Sequence, residues 1–312
     1  MKNLIILTGP TAVGKTDLSI RLAKETNGEI ISADSMQVYR TMDIGTAKIK
    51  KEEMSGIPHH LIDILNPDEE FNVVLFKQYA KEAIEDITGR GKTPIIVGGT
   101  GFYIQAVLYD IDFEENDDDM SCRYKLEAIA KEKGNIHLHN MLDKIDHEAA
   151  LKIHPNNIRR VIRALEFYDK TGKKISEHNE REAARKSPYN FEYFVLNDER
   201  SKLYDRIDKR VDVMIKEGLL DEVKGLLDKG YTRDLVSMQG LGYKEIIDYL
   251  NGAVTIDEAV YTLKRDTRHF AKRQLTWAKR EKEVTWVNKY DFAGEDEILD
   301  FMLSRLRSKN II

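Results

Sequence analysis

Short unbroken apolar runs alternate with longer stretches of helical spacing over the first third of the chain. "NLIILT" (3–8), "EIISAD" (29–34) and "TPIIVGGT" (93–100) are rich in β-branched residues and too short for buried helices, so they predict strands covered on both faces. Between them, "TDLSIRLAKET" from Thr16 puts Leu18, Leu22 and Ala23 on one side of a helix, and "VVLFKQYAKEAIEDITGRG" predicts another. This βαβ rhythm implies a parallel sheet with right-handed crossovers. Ligands of such sheets bind beyond the carboxyl ends of the strands. Three segments lie there: residues 9–16, "ADSMQ" (33–37) and "GGTGFY" (98–103).

The rhythm then changes. "SCRYKLEAIAKEKG", "NMLDKIDHEAALKIHP" and "NIRRVIRALEFYDKTGK" predict three helices without a convincing strand between them, and "YFVLND" (193–198) predicts a returning strand. From 200 onward the pattern is helical, with a short apolar "VTWV" near the end. The expected architecture is α/β. A P-loop NTPase-like parallel-sheet core spans 1–115 plus 188–312, and a helical insertion domain spans 116–187.

"GPTAVGKT" (9–16) follows the first strand and opens the first helix, in the order G-x-x-x-x-G-K-T. Gly9 and Gly14 allow backbone angles closed to other residues, so the N–H groups of Pro10-flanked Thr11, Ala12, Val13 and Gly14 can turn inward as an anion nest. Lys15 adds a point charge, Thr16 offers a hydroxyl to magnesium, and the helix N-terminus faces the phosphates. This nucleotide-binding, ATP-type pattern does not say which phosphates are held. A motor ATPase needs an acid at a strand end to hold magnesium and position water. "PIIVGG" ends in glycines and Thr100, and Asp34 lacks a partnered "DE". A small-molecule kinase stays open.

Composition bounds the rest. The chain has 312 residues, 41% hydrophobic and 33% charged, with no apolar run of the ~20 residues that span a membrane. Its N-terminus runs directly into the first strand, so neither a signal nor a transit peptide is expected. The single cysteine, Cys122, excludes an internal disulfide and a cysteine-based zinc site, and together these features point to the cytoplasm. The net charge of −5 argues against nucleic acid until its distribution is read. Residues 110–119 carry seven acids and no base, residues 159–186 nine bases against five acids, and residues 262–282 eight bases against two acids. In the last segment Arg265, Arg268, Lys272 and Lys279 share one helical face, with Phe270 and Trp277 on another. Two basic segments in an acidic protein point to a polyanion. The scattered histidines 59, 60, 137, 139 and 154 lack metal-ligand spacing and read as structural.

With these residues in place, the chain closely resembles the tRNA dimethylallyltransferases, also called tRNA isopentenyltransferases or IPP transferases. The match is collinear through "GPTAVGKT", "SADSMQVYR", "GTAK", "PHHLID", "GGTGFY", "HPNNIRRVIRALE", "RIDKRVDVMIKEGLLDEV", "MQGLGYKE" and "RHFAKRQLTW". The C-terminal zinc finger of the eukaryotic relatives is absent from the sequence, which suits a bacterial form. The family transfers the dimethylallyl group of dimethylallyl diphosphate to N6 of the adenosine 3′ of the anticodon, releasing diphosphate. The resemblance therefore implies a leaving diphosphate on Gly9, Pro10, Thr11, Ala12, Val13, Gly14, Lys15 and Thr16, with Mg2+ on Thr16.

The same resemblance implies roles elsewhere. Arg210 matches the family's diphosphate-binding arginine, with Arg206 one turn earlier as local rival. Asp34 matches the carboxylate that accepts a hydrogen of the adenine amine; its alternative is a cap on a following helix. Thr100 matches a residue placed against amine and donor. Ser35, Met36 and Gln37 match the segment holding the extruded base. Contacts to tRNA fall on Arg123, on Arg159, Arg160, Val161, Ile162 and Arg163, and on Gln239, Gly240, Leu241, Gly242, Tyr243 and Lys244. The basic helix adds Arg265, Arg268, Lys272, Arg273 and Gln274. The helical insertion would grip the anticodon stem-loop, and the protein is expected to act as a monomer. A relative using free AMP is the nearest alternative, disfavoured by the insertion and the basic helix, which a mononucleotide does not need.

Overall fold

The computed structural model describes residues 1–113 and 121–312. Most of the acidic run and the expected boundary at 115/116 lie outside the described residues. The chain divides into two compact units, Met1–Leu108 with Pro188–Ile312, and Tyr109–Ser187.

The larger unit is built on a six-stranded sheet of order β3-β2-β4-β1-β5-β6, every pairing parallel. Its strands are β1 (Lys2–Thr8), β2 (Gly28–Ala33), β3 (His59–His60), β4 (Thr93–Gly98), β5 (Tyr189–Asn197) and β6 (Val284–Asn288). Leu4 to Leu7 are fully buried, as continuous apolar runs in a two-sided sheet require. Helices α1 (Lys15–Glu25), α2 (Val73–Gly89) and α3 (Gly101–Leu108) fall in the first stretch, and the smaller unit interrupts the chain before β5.

That smaller unit holds α4 (Ser121–Lys133), α5 (Asn135–Ile145), α6 (His147–Lys152), α7 (Ile158–Thr171) and α8 (Ile175–Ala183). The helix expected over 140–155 is broken at Asp146. Its N–H closes α5 on the Leu142 carbonyl at 2.7 Å, while its carboxylate caps α6 at the Ala149 N–H, 3.0 Å away. The same carboxylate holds Ser176 and so fixes the start of α8, a helix not anticipated from the sequence. Leu126, Leu138, Leu142, Val161, Ile162 and Leu165 form the apolar centre of this unit.

The chain returns to the larger unit with α9 (Arg200–Glu217), α10 (Leu219–Asp228), α11 (Tyr243–Leu250), α12 (Ile256–Ala278) and α13 (Glu295–Ser308). Thr255 and Glu258 form a capping box that starts α12 six residues before the basic run. The returning strand starts at Tyr189, earlier than the apolar run suggested, because it accommodates a fully buried Glu192. That carboxylate is met by Thr285 at 2.6 Å, Lys309 at 2.6 Å and Arg305 at 3.1 Å.

A second buried carboxylate, Glu29 on β2, is clasped by Arg90 at 2.5 and 2.7 Å, Lys92 at 2.7 Å and His60 at 2.8 Å. The Arg90 hydrogen bonds, with help from Lys92 and His60, hold its carboxyl far below the ordinary carboxylate range, against the opposing effect of burial. Glu29→Gln leaves the cations uncompensated. Because Arg90 and Lys92 reach water, the expected loss is about 2–3 kcal/mol, at or below the low end for a broken buried pair. A lowered folded-state pKa gives stability that is present above the free-glutamate value of 4.5 and fades as pH falls below it. Urea unfolding of wild type and Glu29→Gln at pH 7 and pH 3.5 checks this: the gap between them should narrow at the lower pH.

Candidate active site

Three strand ends carry the site. Thr8 is in register with Gly98, and Gly98 with Ala33, so the segments following β1, β4 and β2 emerge side by side. The Thr8 hydroxyl donates to the Gly98 carbonyl at 2.8 Å, and the Thr100 N–H donates to the Ala33 carbonyl at 3.2 Å. A Cβ at Gly98 would lie 2.2 Å from the Ala33 carbonyl oxygen, so only glycine allows the strands this approach.

The loop after β1 has the expected strained geometry. Gly9 and Gly14 have φ of +149° and +97°, and Ala12 also sits at positive φ, +62°. Gly14 leads directly into α1, whose first residues are Lys15 and Thr16. The Lys15 ammonium donates to the carbonyls of Gly9 and Pro10, at 2.9 and 2.8 Å. Burial, with the Arg210 charge nearby, brings its pKa down to about 7, while Asp34 pulls the other way. A cation held this reluctantly in a glycine-rich nest gains most from an incoming anion.

Asp34 follows β2 directly. Its Oδ1 accepts the N–H of Met36 at 2.9 Å and, more weakly, that of Gln37 at 3.4 Å. No helix follows, so the carboxylate closes a turn, with Oδ2 outside these two bonds. Burial raises its pKa, opposed by the two N–H donors and by Lys15. Thr100 sits at the head of α3, its carbonyl bonded to the N–H groups of Tyr103 and Ile104.

The structure separates the two arginines of α9. Arg206 is committed to the protein: its Nε donates to the Ala12 carbonyl at 2.9 Å and its Nη2 to Asp198 at 2.6 Å. It braces the loop after β1 at Ala12. Arg210 makes no ion pair among the described residues and lies near enough to Lys15 to depress it. Lys289, which the sequence did not single out, reaches the same loop. A Cβ on Gly14 would lie 3.2 Å from its ammonium, which pairs with Glu295 at 3.0 Å.

The segment holding Ser35, Met36 and Gln37 packs against the one at 239–244. A Cβ on Gly240 would lie 2.5 Å from the Met36 methyl, and one on Gly45 2.6 Å from the Tyr243 ring. Gln37 donates its amide to the carbonyls of Thr46 and Ala47 at 3.3 and 3.4 Å.

Several residues expected to touch RNA have other partners. Val161 and Ile162 are buried in the apolar centre of the smaller unit, because on α7 they fall on the face opposite the exposed Arg159, Arg160 and Arg163. Tyr243 is buried, its hydroxyl donating to Glu222 at 2.7 Å. Gly242 is buried too, and Gln239 donates to the Arg233 carbonyl at 2.5 Å. Lys244 lies 3.5 Å from the Glu245 carboxylate, and Leu241 is half-buried. Arg123 forms a two-point pair with Glu166 at 3.0 and 2.9 Å.

On α12, Arg268 pairs with Asp208 of α9 and Arg265 with neighbouring Asp266, so these two serve helix packing and local charge balance. Gln274 bridges two site loops, its oxygen accepting the Thr11 N–H at 2.8 Å and its nitrogen donating to the Gly99 carbonyl at 3.1 Å. Both ends of its amide are thereby engaged in shaping the site. Lys272 and Arg273 are exposed and pair with no carboxylate among the described residues. No group of three or more histidine, cysteine or acidic side chains could hold a metal among the described residues, and none of their helices is long and apolar enough to cross a membrane.

Known proteins resemble this chain along its whole length. The family model described as "IPP transferase" matches residues 37–281, and one described as "Isopentenyl transferase" matches residues 2–67. A tRNA dimethylallyltransferase of Lachnoclostridium phytofermentans is 61% identical over 312 residues, covering 100% of both chains. One of Acetivibrio thermocellus is 52% identical over 301 residues, covering 96% of each. Among solved structures, the full-length tRNA isopentenylpyrophosphate transferase of Bacillus halodurans superposes with a TM-score of 0.75 at 49% identity, covering 99% of this chain and 98% of that one. A eukaryotic dimethylallyltransferase acting on tRNA superposes with a TM-score of 0.81 at 32% identity, covering 97% and 80%. A glycine-built loop after β1, a carboxylate at the end of β2, one strand away across β4, and full-length relatives at this identity agree: the chain belongs to the IPP transferase family.

Proposed function

We propose that this protein transfers the dimethylallyl group of dimethylallyl diphosphate to N6 of the adenosine 3′ of the anticodon in tRNA, releasing diphosphate. The observation that carries this is the in-register meeting of three strand ends, which sets Lys15 and Thr16, Asp34 and Thr100 on adjacent segments. In the reaction the C1–O bond of the donor breaks, the N6–C1 bond forms, and one N6 proton leaves. Breaking an allylic C–O bond puts negative charge on the diphosphate, so the fixed donors of the loop, Lys15 and Arg210 stabilise it where it develops. Thr16, exposed at the head of α1, would offer its hydroxyl to a magnesium ion bound together with the diphosphate. Such an ion would neutralise part of the leaving group's charge.

The adenine amine is a weak nucleophile because its lone pair is delocalised into the ring. Asp34 accepts one of its hydrogens through the oxygen not used by the turn, which orients the amine and receives the proton. Thr100 offers its hydroxyl beside both reactants. Extruding the base costs a few kcal/mol, and the exposed cations of α7 and α12 supply compensating phosphate contacts. The reading extends to a monomer working in the cytoplasm, where the tRNA is modified.

Lys15→Ala should remove nearly all turnover and leave tRNA affinity within about twofold, since the RNA contacts lie on other elements; labelled-donor transfer and filter binding measure the two. Asp34→Asn keeps the turn but cannot take a proton, so the rate should fall about 10²–10⁴-fold with donor affinity retained. Because the ionised carboxylate is the working form and burial raises its pKa, wild-type turnover should fall on the acid side with a midpoint above the free value of 3.8. That limb should be missing from the residual rate of Asp34→Asn. Transfer to undermodified tRNA compared with AMP identifies the acceptor. Replacing Lys272 and Arg273 with glutamine should flatten the log–log salt dependence of tRNA binding by about 0.7–0.9 per contact. Replacing Arg265 and Arg268, which have partners inside the protein, should flatten it less.

A further inference from the structure

Four hydrogen bonds converge on one side chain outside the machinery described above. Glu222, in the first turn of α10, accepts the N–H groups of Asp43 at 2.9 Å and Ile44 at 2.7 Å on one carboxylate oxygen. Its other oxygen accepts the N–H of Gly45 at 3.0 Å and the Tyr243 hydroxyl at 2.7 Å. Three consecutive N–H groups aimed at one anion form a nest of the kind that elsewhere binds phosphate, here filled by the protein's own carboxylate. Gly45 has no room for a side chain, since a Cβ would lie 2.6 Å from the Tyr243 ring. The segment is therefore clamped on both sides.

The clamp continues toward the active site. The residues directly after the nest, Thr46 and Ala47, present the carbonyls that take the Gln37 amide. Two carbonyl acceptors fix which end of that amide is nitrogen, so the Gln37 oxygen is the end left to receive a donor from a base. Met36, next in sequence, is held by contact with Gly240. Glu222, Tyr243 and the nest thus support Gln37 without touching any reacting group.

We infer that Glu222 is a positioning residue for recognition of the target base, acting through the Asp43–Gly45 nest and the Thr46 and Ala47 carbonyls on Gln37. This rests on the tRNA reading above and on the resemblance that sets Gln37 in the segment holding the extruded base. Charge-assisted bonds of this kind are about twice as strong as neutral ones, and an amide at position 222 would offer one acceptor oxygen and present N–H groups to other N–H groups.

The test uses the full chain with dimethylallyl diphosphate and undermodified tRNA. Glu222→Gln should lower kcat/KM for tRNA by about 10–100-fold, with the donor dissociation constant within twofold of wild type. The amides of Asp43, Ile44 and Gly45 should exchange hydrogen at least tenfold faster. Tyr243→Phe, which removes one of the four bonds and keeps the ring, should shift the same readouts in the same direction by less. Combined with Gln37→Ala, Glu222→Gln should add little further loss, because the two act along one path. A kcat/KM within threefold of wild type despite faster amide exchange would overturn the inference, as would fully additive losses with Gln37→Ala. If Glu222→Gln does not fold, Tyr243→Phe decides: an unchanged kcat/KM for tRNA overturns it. Failure of the wild type to modify tRNA would instead strike the functional reading, while the amide-exchange result would still report on the clamp.

Discussion

The site depends on a lack of space at one position. Between β2 and β4 the backbone of Gly98 lies against the Ala33 carbonyl so closely that a single methyl would overlap it. Strands in a parallel sheet run in one direction, so their carboxyl ends meet at one edge. Here the ends are also level, and the Thr8 hydroxyl ties β1 to the same carbonyl row. Everything chemical follows from that alignment: the nest after β1, the carboxylate after β2 and the threonine after β4 begin within a residue or two of their strand ends. A bulkier residue at 98 would spread the three segments before any of their side chains was changed.

Charge is distributed around this edge in two ways. Lys15 is half-buried against two carbonyls and near Arg210, which together bring its pKa down to about 7. Arg206, on the same helix as Arg210, is neutralised by Asp198 and braces the loop. The difference is electrostatic: Arg206, paired, contributes geometry, whereas Arg210, with no ion pair among the described residues, leaves its charge acting on Lys15. α12 shows the same division. Lys264 and Arg268 pair with Asp212 and Asp208 and fasten α12 to α9, while Lys272 and Arg273 stay exposed without a carboxylate partner among the described residues. A basic run is therefore not one functional surface, and counting its charges overstates what it offers to RNA.

The polar side chains that shape the site do so by bridging. Gln274 joins the loop after β1 to the loop after β4, and Glu222 joins α10 to the segment at 43–45. Each satisfies backbone groups that a loop would otherwise leave to water, which fixes irregular backbone with few residues.

The sequence by itself determined the elements whose signal is local. Strand runs at 3–8, 29–34 and 93–100, the positive-φ glycines of the phosphate loop and the placement of Lys15, Asp34 and Thr100 at strand ends follow from side-chain periodicity and backbone stereochemistry, both confined to a few neighbouring residues. The family motifs carried the functional reading because several of them recur in order along the chain. What only the tertiary structure decided is which polar groups find partners far away in sequence. Val161 and Ile162 turned out to be core and Tyr243 a buried donor to Glu222. Arg206 rather than Arg210 braces the loop, and Gln274 holds two loops at once. Asp146, which caps α6 locally, also reaches Ser176, thirty residues on, and so sets the start of α8. No short-range pattern encodes such pairings, because a charge or an amide has the same local signature whether it faces water or closes a contact with a distant segment.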